Sequence, residues 1–473
     1  MATDISQDAA GRGGLIALTR FGLGPKPGQR AMAEADPRGM VAAEIARPGA
    51  AALDVDSILS LPDVIAEVTL RRQAVRARNI AAAAAGSSEA GMASLTPELA
   101  AAIKGMSPIG LAYETEVRAR LDRAAAVEIG FAERLVGFWT NHFTVSTVKS
   151  SFIGALGGAY EREAIRPHAL GRFGDMLLAV ARHPAMLLYL DNRTSTGPNS
   201  ALGRRRPGRG LNENFARELL ELHTLGPRNF GQEDVTELAA ALTGWSFGMN
   251  PKEPDVGVFR FERRRHEPGP RVILGKRYPE GGAGQAEAIL ADLARHPATA
   301  RNVADRLVRA FVGTPSAALT ERLERRFLDT GGDLAEVAAT LVAADEAWAA
   351  PPAQLRPPID FMLAAMRATS SNFTVSFARR SLEVLGQPVW GAPSPKGYAI
   401  DGDDWLAPDA ITNRLDIAER IIARAPDVEQ PIELADDLYG TALTDETRTA
   451  IRRAGSRAQA MTLFLMSPEF QRR

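Results

Sequence analysis

From Leu15 to Arg78, Leu111 to Asn141, Tyr160 to Leu190 and Gly284 to Ala349, apolar residues recur three and four positions apart. That spacing lays an apolar stripe along an α-helix. Helical patterning also fills the last hundred or so residues, after the joint Pro351-Pro352 and Pro357-Pro358, with a loop at Val389 to Trp405. Asn79 to Gly105 contains Ala-Ala-Ala-Ala-Ala-Gly-Ser-Ser and is expected as a linker or mobile insertion, with a short helix after Ser94 and Thr96. The period changes once. Between Val256 and Tyr278, Phe259 and Phe261 alternate with Val258, Arg260 and Glu262, and Ile273 alternates with Val272 and Leu274, which predicts a β-hairpin around His266-Glu267-Pro268-Gly269-Pro270. The expected fold is therefore mainly α, a large multi-helix globular domain with one small β-hairpin insertion. We expect a single domain over 1–473. Within it, N-terminal helices and a mobile linker occupy 1–105, and a central helical core occupies 106–255 with a polar helix at 212–226. The hairpin follows at 256–280, and C-terminal helices fill 281–473.

The polar helix concentrates more chemistry than any other element. Asn212 is placed to cap it, Glu213 adds negative charge to its first turn, and Gly226-Pro227 ends it. At 100° per residue, Glu213, Asn214, Arg217, Glu218, Glu221 and Thr224 share an arc of about 140°. Phe215, Ala216, Leu219, Leu220 and Leu222 fill the opposite arc, and His223 falls among them. Arg217 lies four residues from both Glu213 and Glu221, the spacing of an ion-pair ladder. Glu218 is left with Asn214.

Paired carboxylates divide acid and base roles when burial splits their pKa values. Glu218 and Glu221 are accordingly the candidate catalytic residues. His142 joins them from another helix, where it shares an apolar face with Phe131, Leu135, Phe138 and Trp139. Asn214, Arg217, Asp191, Asn192 and His266 are candidate substrate-binding residues. Asp191 and Asn192 open a loop to Gly210 that carries Arg193, Arg204, Arg205, Arg206 and Arg209, and long loops without regular structure are commonly functional. A divalent metal stays open as a cofactor, with no ligands assigned. The competing reading is plainer: a solvated ion-pair face, buried histidines that are hydrogen-bonded core residues and do not face each other across a site, and a non-catalytic helical scaffold for binding or assembly.

Composition narrows the field. The chain has no cysteine, which excludes disulfides, thiolate nucleophiles and Cys-type zinc sites. Its net charge of -1 offers no overall attraction to nucleic acid or anionic membranes. No phosphate loop, dinucleotide fingerprint, nucleophile elbow or His-Glu-x-x-His motif occurs. The first residues, Met-Ala-Thr-Asp-Ile-Ser-Gln-Asp, show no signal-peptide pattern, and no apolar run approaches the ~18 residues of a membrane span. A cytoplasmic location is the resulting expectation.

Several segments together resemble the bacterial family called domain of unknown function 1800. They include Arg20-Phe21-Gly22-Leu23-Gly24, Phe138-Trp139-Thr140-Asn141-His142-Phe143, Tyr189-Leu190-Asp191-Asn192 and the run from Asn212 to Gly226. Asp234-Val235-Thr236-Glu237, Leu242-Thr243-Gly244-Trp245, His266-Glu267, Leu274-Gly275-Lys276, Pro393-Ser394-Pro395-Lys396-Gly397 and Ser467-Pro468-Glu469-Phe470 extend the likeness over nearly the whole chain. Two positions depart from the pattern. Phe230-Gly231 stands where relatives have an aromatic residue followed by Thr or Ser, and Ala240 stands where they have arginine. The resemblance implies a bacterial helical protein and no defined reaction. It also implies a neighbour, since relatives are often encoded beside a sulfatase- or phosphatase-like protein and are often exported.

Overall fold

The computed structural model describes residues 11–53, 59–104, 106–206, 210–250, 252–349 and 352–473. The first eight residues, Gly105, Arg209 and Pro351, named above, lie outside them. Helix covers 63% of the chain and confirms a mainly α protein.

Local rules account for most helix ends. Ser60 accepts a hydrogen bond from the Asp63 amide, Pro62 occupies the first turn, and Gly86 ends the Leu61–Ala85 helix in the left-handed region at φ 73°. The alanine run expected as a linker is the last turn of this helix. Alanine has the highest helix propensity, so the run extends a helix already nucleated upstream. Thr96 caps Pro97–Ile103 as expected. Ser88–Ala93 packs so closely on the long helix that a side chain at Gly91 would lie 2.6 Å from the Arg78 carbonyl. The block from Leu111 to Asn141 divides into Pro108–Ala126 and Phe131–His142. The break falls at Gly130, whose φ of 89° suits glycine.

The β insertion is present, but its strands belong to two small antiparallel sheets. β1 (Trp245–Phe247) pairs with β2 (Phe259–Phe261), Trp245 opposite Phe261. β3 (Arg271–Ile273) pairs with β4 (Lys276–Tyr278) across a turn in which Leu274 and Gly275 both have positive φ, 49° and 77°. Two such residues make the tight turn that matches strand twist. The strands on either side of His266–Pro270 do not pair with each other. Instead the Glu267 amide donates to the Thr243 hydroxyl at 2.8 Å, which ties the segment to the end of helix Gln232–Leu242.

Buried apolar residues form two cores. The larger draws on residues between Ile16 and Trp348. The smaller is built from Phe361 to Phe470 together with Leu15, Leu23, Val117, Leu121 and Ala124. Helix Pro108–Ala126 contributes to both, so a seam runs along it. No helix of the described residues is long and apolar enough to cross a membrane.

Candidate functional site

The polar helix does not remain α. The Asn212 side chain accepts from the Asn214 amide at 2.9 Å and starts the turn. An α-helix covers Asn214–Glu218, and Leu219–His223 is a π-turn. The i→i+5 bonding of a π-turn takes later residues off the 100° wheel. Glu213 pairs with Arg217 at 3.5 Å and accepts from Gln232 at 2.8 Å and Thr236 at 3.0 Å. The ladder stops there: among the described residues no ion pair joins Arg217 to Glu221. Burial and the neighbouring Glu221 charge raise the pKa of Glu218 against the pull of Arg217. Tyr189 stands beside it, its phenol pushed up to about 12 by burial and by the Glu218 charge. Asn214 points to solvent.

His142 and His223 both enter the core, 2% and 0% exposed, with ring centroids 6.3 Å apart. Phe143 and Phe173 pack around them. His142 Nε2 donates to the His223 carbonyl at 3.1 Å, which assigns its proton to that nitrogen. His142 Nδ1 and both ring nitrogens of His223 have no partner among the described residues. Burial, reinforced by the Arg306 charge, lowers His223 to about 3 and His142 well below its usual value. Both are neutral at physiological pH. The rings and charges placed against His142 are those of Phe138, Trp139, Phe143, Phe173, His223 and Arg306; Glu218 is not one of them. The structure thus brings the two histidines together, and neither Glu218 nor Glu221 is among the groups placed against them. Among the described residues no group of three or more His, Asp or Glu is placed to hold a metal ion.

A cavity of about 190 Å³ opens elsewhere, in the seam between the two cores. Its lining includes Val117 and Leu121 from one helix, Gly137 and Phe138 from the next, and Phe311, Leu382 and Trp390 from the C-terminal half. Gly137 faces open space, since a Cβ built there meets nothing within 4 Å. Asn141 pins the opposite wall: its side chain accepts from the Tyr398 amide at 2.7 Å and donates to the Tyr398 carbonyl at 2.9 Å. Gly397, with φ 82°, leaves room for this, because a Cβ would lie 2.5 Å from the Asn141 carbonyl. Thr147 and Ser146 hold the same wall by donating to the carbonyls of Trp390, at 2.8 Å, and Ala392, at 2.6 Å.

Charged groups of the lining belong to two buried networks. Arg166, 3% exposed, clasps both oxygens of Glu133 at 2.8 and 2.9 Å and reaches Glu161 at 2.9 Å. Burial alone would lower its pKa, but Glu161 and Glu133 outweigh that and raise it. Arg120 joins through Glu161 at 3.3 Å. On the other side Asp360 takes Arg134 at 3.1 Å and Arg473 at 2.7 Å. Sequence reasoning missed this cavity because its walls come from segments hundreds of residues apart. The signal it could have used was the pair of motifs containing Asn141 and Gly397.

Residues 16–472 match the family described as "Protein of unknown function (DUF1800)". The chain belongs to that family. No curated protein and no solved structure matches it.

Within this DUF1800 chain, the departure at Gly231 is partly made good. The Gly231 amide donates to Asp234 at 2.8 Å, and the other Asp234 oxygen accepts from the Leu274 amide at 2.7 Å, so the helix start is tied to the β3–β4 turn. Ala240 is buried. Asp191 sits at φ 59° and forms an ion pair with Lys149 at 2.6 Å. Asn192 is 0% exposed and donates to the carbonyls of Leu242 and Trp245, both at 3.2 Å. His266, at the predicted hairpin turn, is buried: its Nδ1 donates to the Thr243 carbonyl at 3.0 Å, and its ring meets Phe261 edge-on. Beside it, buried Glu267 accepts from the Asn199 amide at 2.8 Å and from the Asn199 side chain at 2.6 Å. Asn192 and Glu267 therefore fasten the 191–206 loop to the body, His266 ties its own segment to Thr243, and none of the three lines the cavity.

Proposed function

We propose that this protein is a helical binding protein that holds a small molecule in the cavity between its two cores. The half-open cavity in the seam carries this reading. At about 190 Å³ it exceeds the ~150 Å³ that accepts benzene. Its walls are mainly apolar with a few convergent polar groups, the usual make-up of a ligand site. A helix that could have carried a side chain into it carries Gly137 instead.

Thermal-shift measurement against a small-molecule library, with mass spectrometry of extracts from the purified protein, tests the proposal through two variants. Gly137→Ala should raise stability by up to about 1 kcal/mol through helix propensity and keep ligand binding. Gly137→Leu should fold and lose ligand binding. Equal ligand shifts in wild type and Gly137→Leu would place the ligand elsewhere, and a library and extract without any ligand would remove the proposal.

A second reading keeps the polar helix as a carboxylate-based hydrolytic site. It is favoured by Glu218, whose pKa burial and the Glu221 charge raise against the pull of Arg217, and which forms no contact ion pair or hydrogen bond among the described residues. Two neighbouring carboxyl groups, one of them raised by burial, are the arrangement that divides acid and base roles. Hydrolysis of ester and phosphoester panels that persists unchanged in Glu218→Gln would count against it.

A further inference from the structure

A groove of about 760 Å³ runs along the Leu61–Ala85 helix and shares no lining residue with the seam cavity. Val68, Arg72, Arg76, Ile80 and Ala83 line it at steps of four, four, four and three residues, so they stand on one face of the helix. Val75 adds to its apolar floor, and Pro108 and Ile109, from the start of the Pro108–Ala126 helix, complete it. From Val68 to Ala83 this face is about 22 Å long. Ile80 is apolar and yet 62% exposed. Arg71, Arg72 and Arg76 all line the groove, and no Asp or Glu among the described residues does. Arg71 donates to the Ala102 carbonyl at 3.0 Å, and the Arg72 guanidinium lies 5.2 Å from the Phe152 ring centroid. None of the three forms an ion pair among the described residues. Arg72 and Arg76 are exposed, so their charge is open to a partner. The whole chain has a net charge of -1, which makes this a local excess.

A helix of the smaller core carries the complement. Pro408–Ile422, 15 residues and again about 22 Å long, buries Arg414, Ile417, Ala418 and Ile421. Its outer face presents Ile411 and Leu415, one turn apart and 38% and 41% exposed. Glu419 follows one turn later on that face, and Asp409 and Asp416 border it. All three carboxylates are exposed and form no ion pair among the described residues. Arg420 is the exposed cation of this helix.

We infer that this protein assembles head to tail, the groove of one copy receiving the Pro408–Ile422 helix of the next. Ile411 and Leu415 settle against Val68, Val75 and Ile80, while Asp409, Asp416 and Glu419 meet Arg71, Arg72 and Arg76. A helix laid with its apolar side in a groove, held by anchors one turn apart, is a recurring mode of recognition. Opposite charges across it select the partner and fix the register. Groove against groove, the other way to pair two identical copies, would bring the arginines of both together. The donating and receiving surfaces differ, so each pair keeps one of each free, and the contact propagates into a ring or a filament.

Sedimentation velocity of the full chain, from low micromolar to several hundred micromolar protein, tests this inference. Wild type should form species heavier than the monomer, and raising salt from about 0.05 M to about 0.5 M should weaken the association about fivefold or more. Arg76→Glu reverses a groove charge, and Leu415→Lys puts a cation on the inserted face; each variant should be monomeric. Both place good helix formers at exposed positions, and Ile80→Glu and Ile411→Lys serve in their stead if either fails to fold. A one-to-one mixture of Arg76→Glu and Leu415→Lys should form a heterodimer that grows no further, because the first supplies an intact helix and the second an intact groove. Wild type that stays monomeric over the whole range overturns the inference, as does association that survives either variant. A mixture that stays monomeric while wild type associates overturns the head-to-tail pairing.

Discussion

His223 shows how much one buried ring decides. Its burial among Phe143, His142 and the charge of Arg306 holds it neutral down to about pH 3, against 6.5 for the free side chain. An unfolded chain takes up a proton there below pH 6.5, and the folded chain refuses it. Stability is therefore complete above about pH 6.5 and is lost progressively as pH falls from there toward 3. His142 adds a loss of the same sign. Between pH 6 and 5, each histidine should contribute about 1 kcal/mol of lost stability per pH unit. Urea unfolding at pH 7, 6 and 5 should show this slope in wild type and a slope shallower by one histidine in His223→Phe. Parallel slopes would mean that His223 does not titrate differently in the two states. The wheel placed this residue correctly because an apolar helix face is written in consecutive residues. It misplaced Glu221 relative to Arg217 because no pattern of side-chain types announced the change to i→i+5 bonding.

At the level of elements, stops and starts were legible where a cap residue carries them, as at Ser60, Thr96 and Gly86. The alanine run was misjudged because low complexity says little by itself. Its helix state is inherited from the turns before it and from the two short helices folded onto it. The cavity wall from Pro388 to Ile400 depends more on a single side chain. Asn141 satisfies both the donor and the acceptor of the Tyr398 backbone. Asn141→Ala should leave the fold intact, cost about 1–3 kcal/mol, and raise amide hydrogen exchange from Gly397 to Ile400 by at least tenfold. Exchange in that segment equal to wild type would show that Ser146 and Thr147 alone hold the wall. The β-strands carry the same lesson. Alternation identified strand-forming residues, but the pairing of β2 with Trp245–Phe247 was set by the anchoring of His266 and Glu267 on Thr243.

For the whole molecule, the seam between the cores is the decisive feature, and a buried ion network holds one side of it. Arg166 joins Glu133 and Glu161 and also donates to the Ala51 carbonyl at 3.0 Å. Removing one partner from such a cluster strands the others. Arg166→Met should cost about 3–5 kcal/mol, read as a lowered guanidinium midpoint. The double variant Arg166→Met with Glu133→Met should recover part of that loss. No recovery in the double variant would assign the cost to packing instead of charge.

The sequence by itself determined the helical class, the family, most caps and the inward-facing histidines, because each follows from residues within a few turns of one another. It also flagged the polar helix, where the carboxylate chemistry remains to be tested. Only the tertiary structure decided that Glu218 and His142 face different surroundings, that Asn192 and His266 are fasteners, and that a cavity lies between two cores. Those outcomes rest on contacts such as Asn141 with Tyr398 and Asp360 with Arg473. Such pairs are separated by more than a hundred residues, and hydrophobic period or spacing carries no record of them.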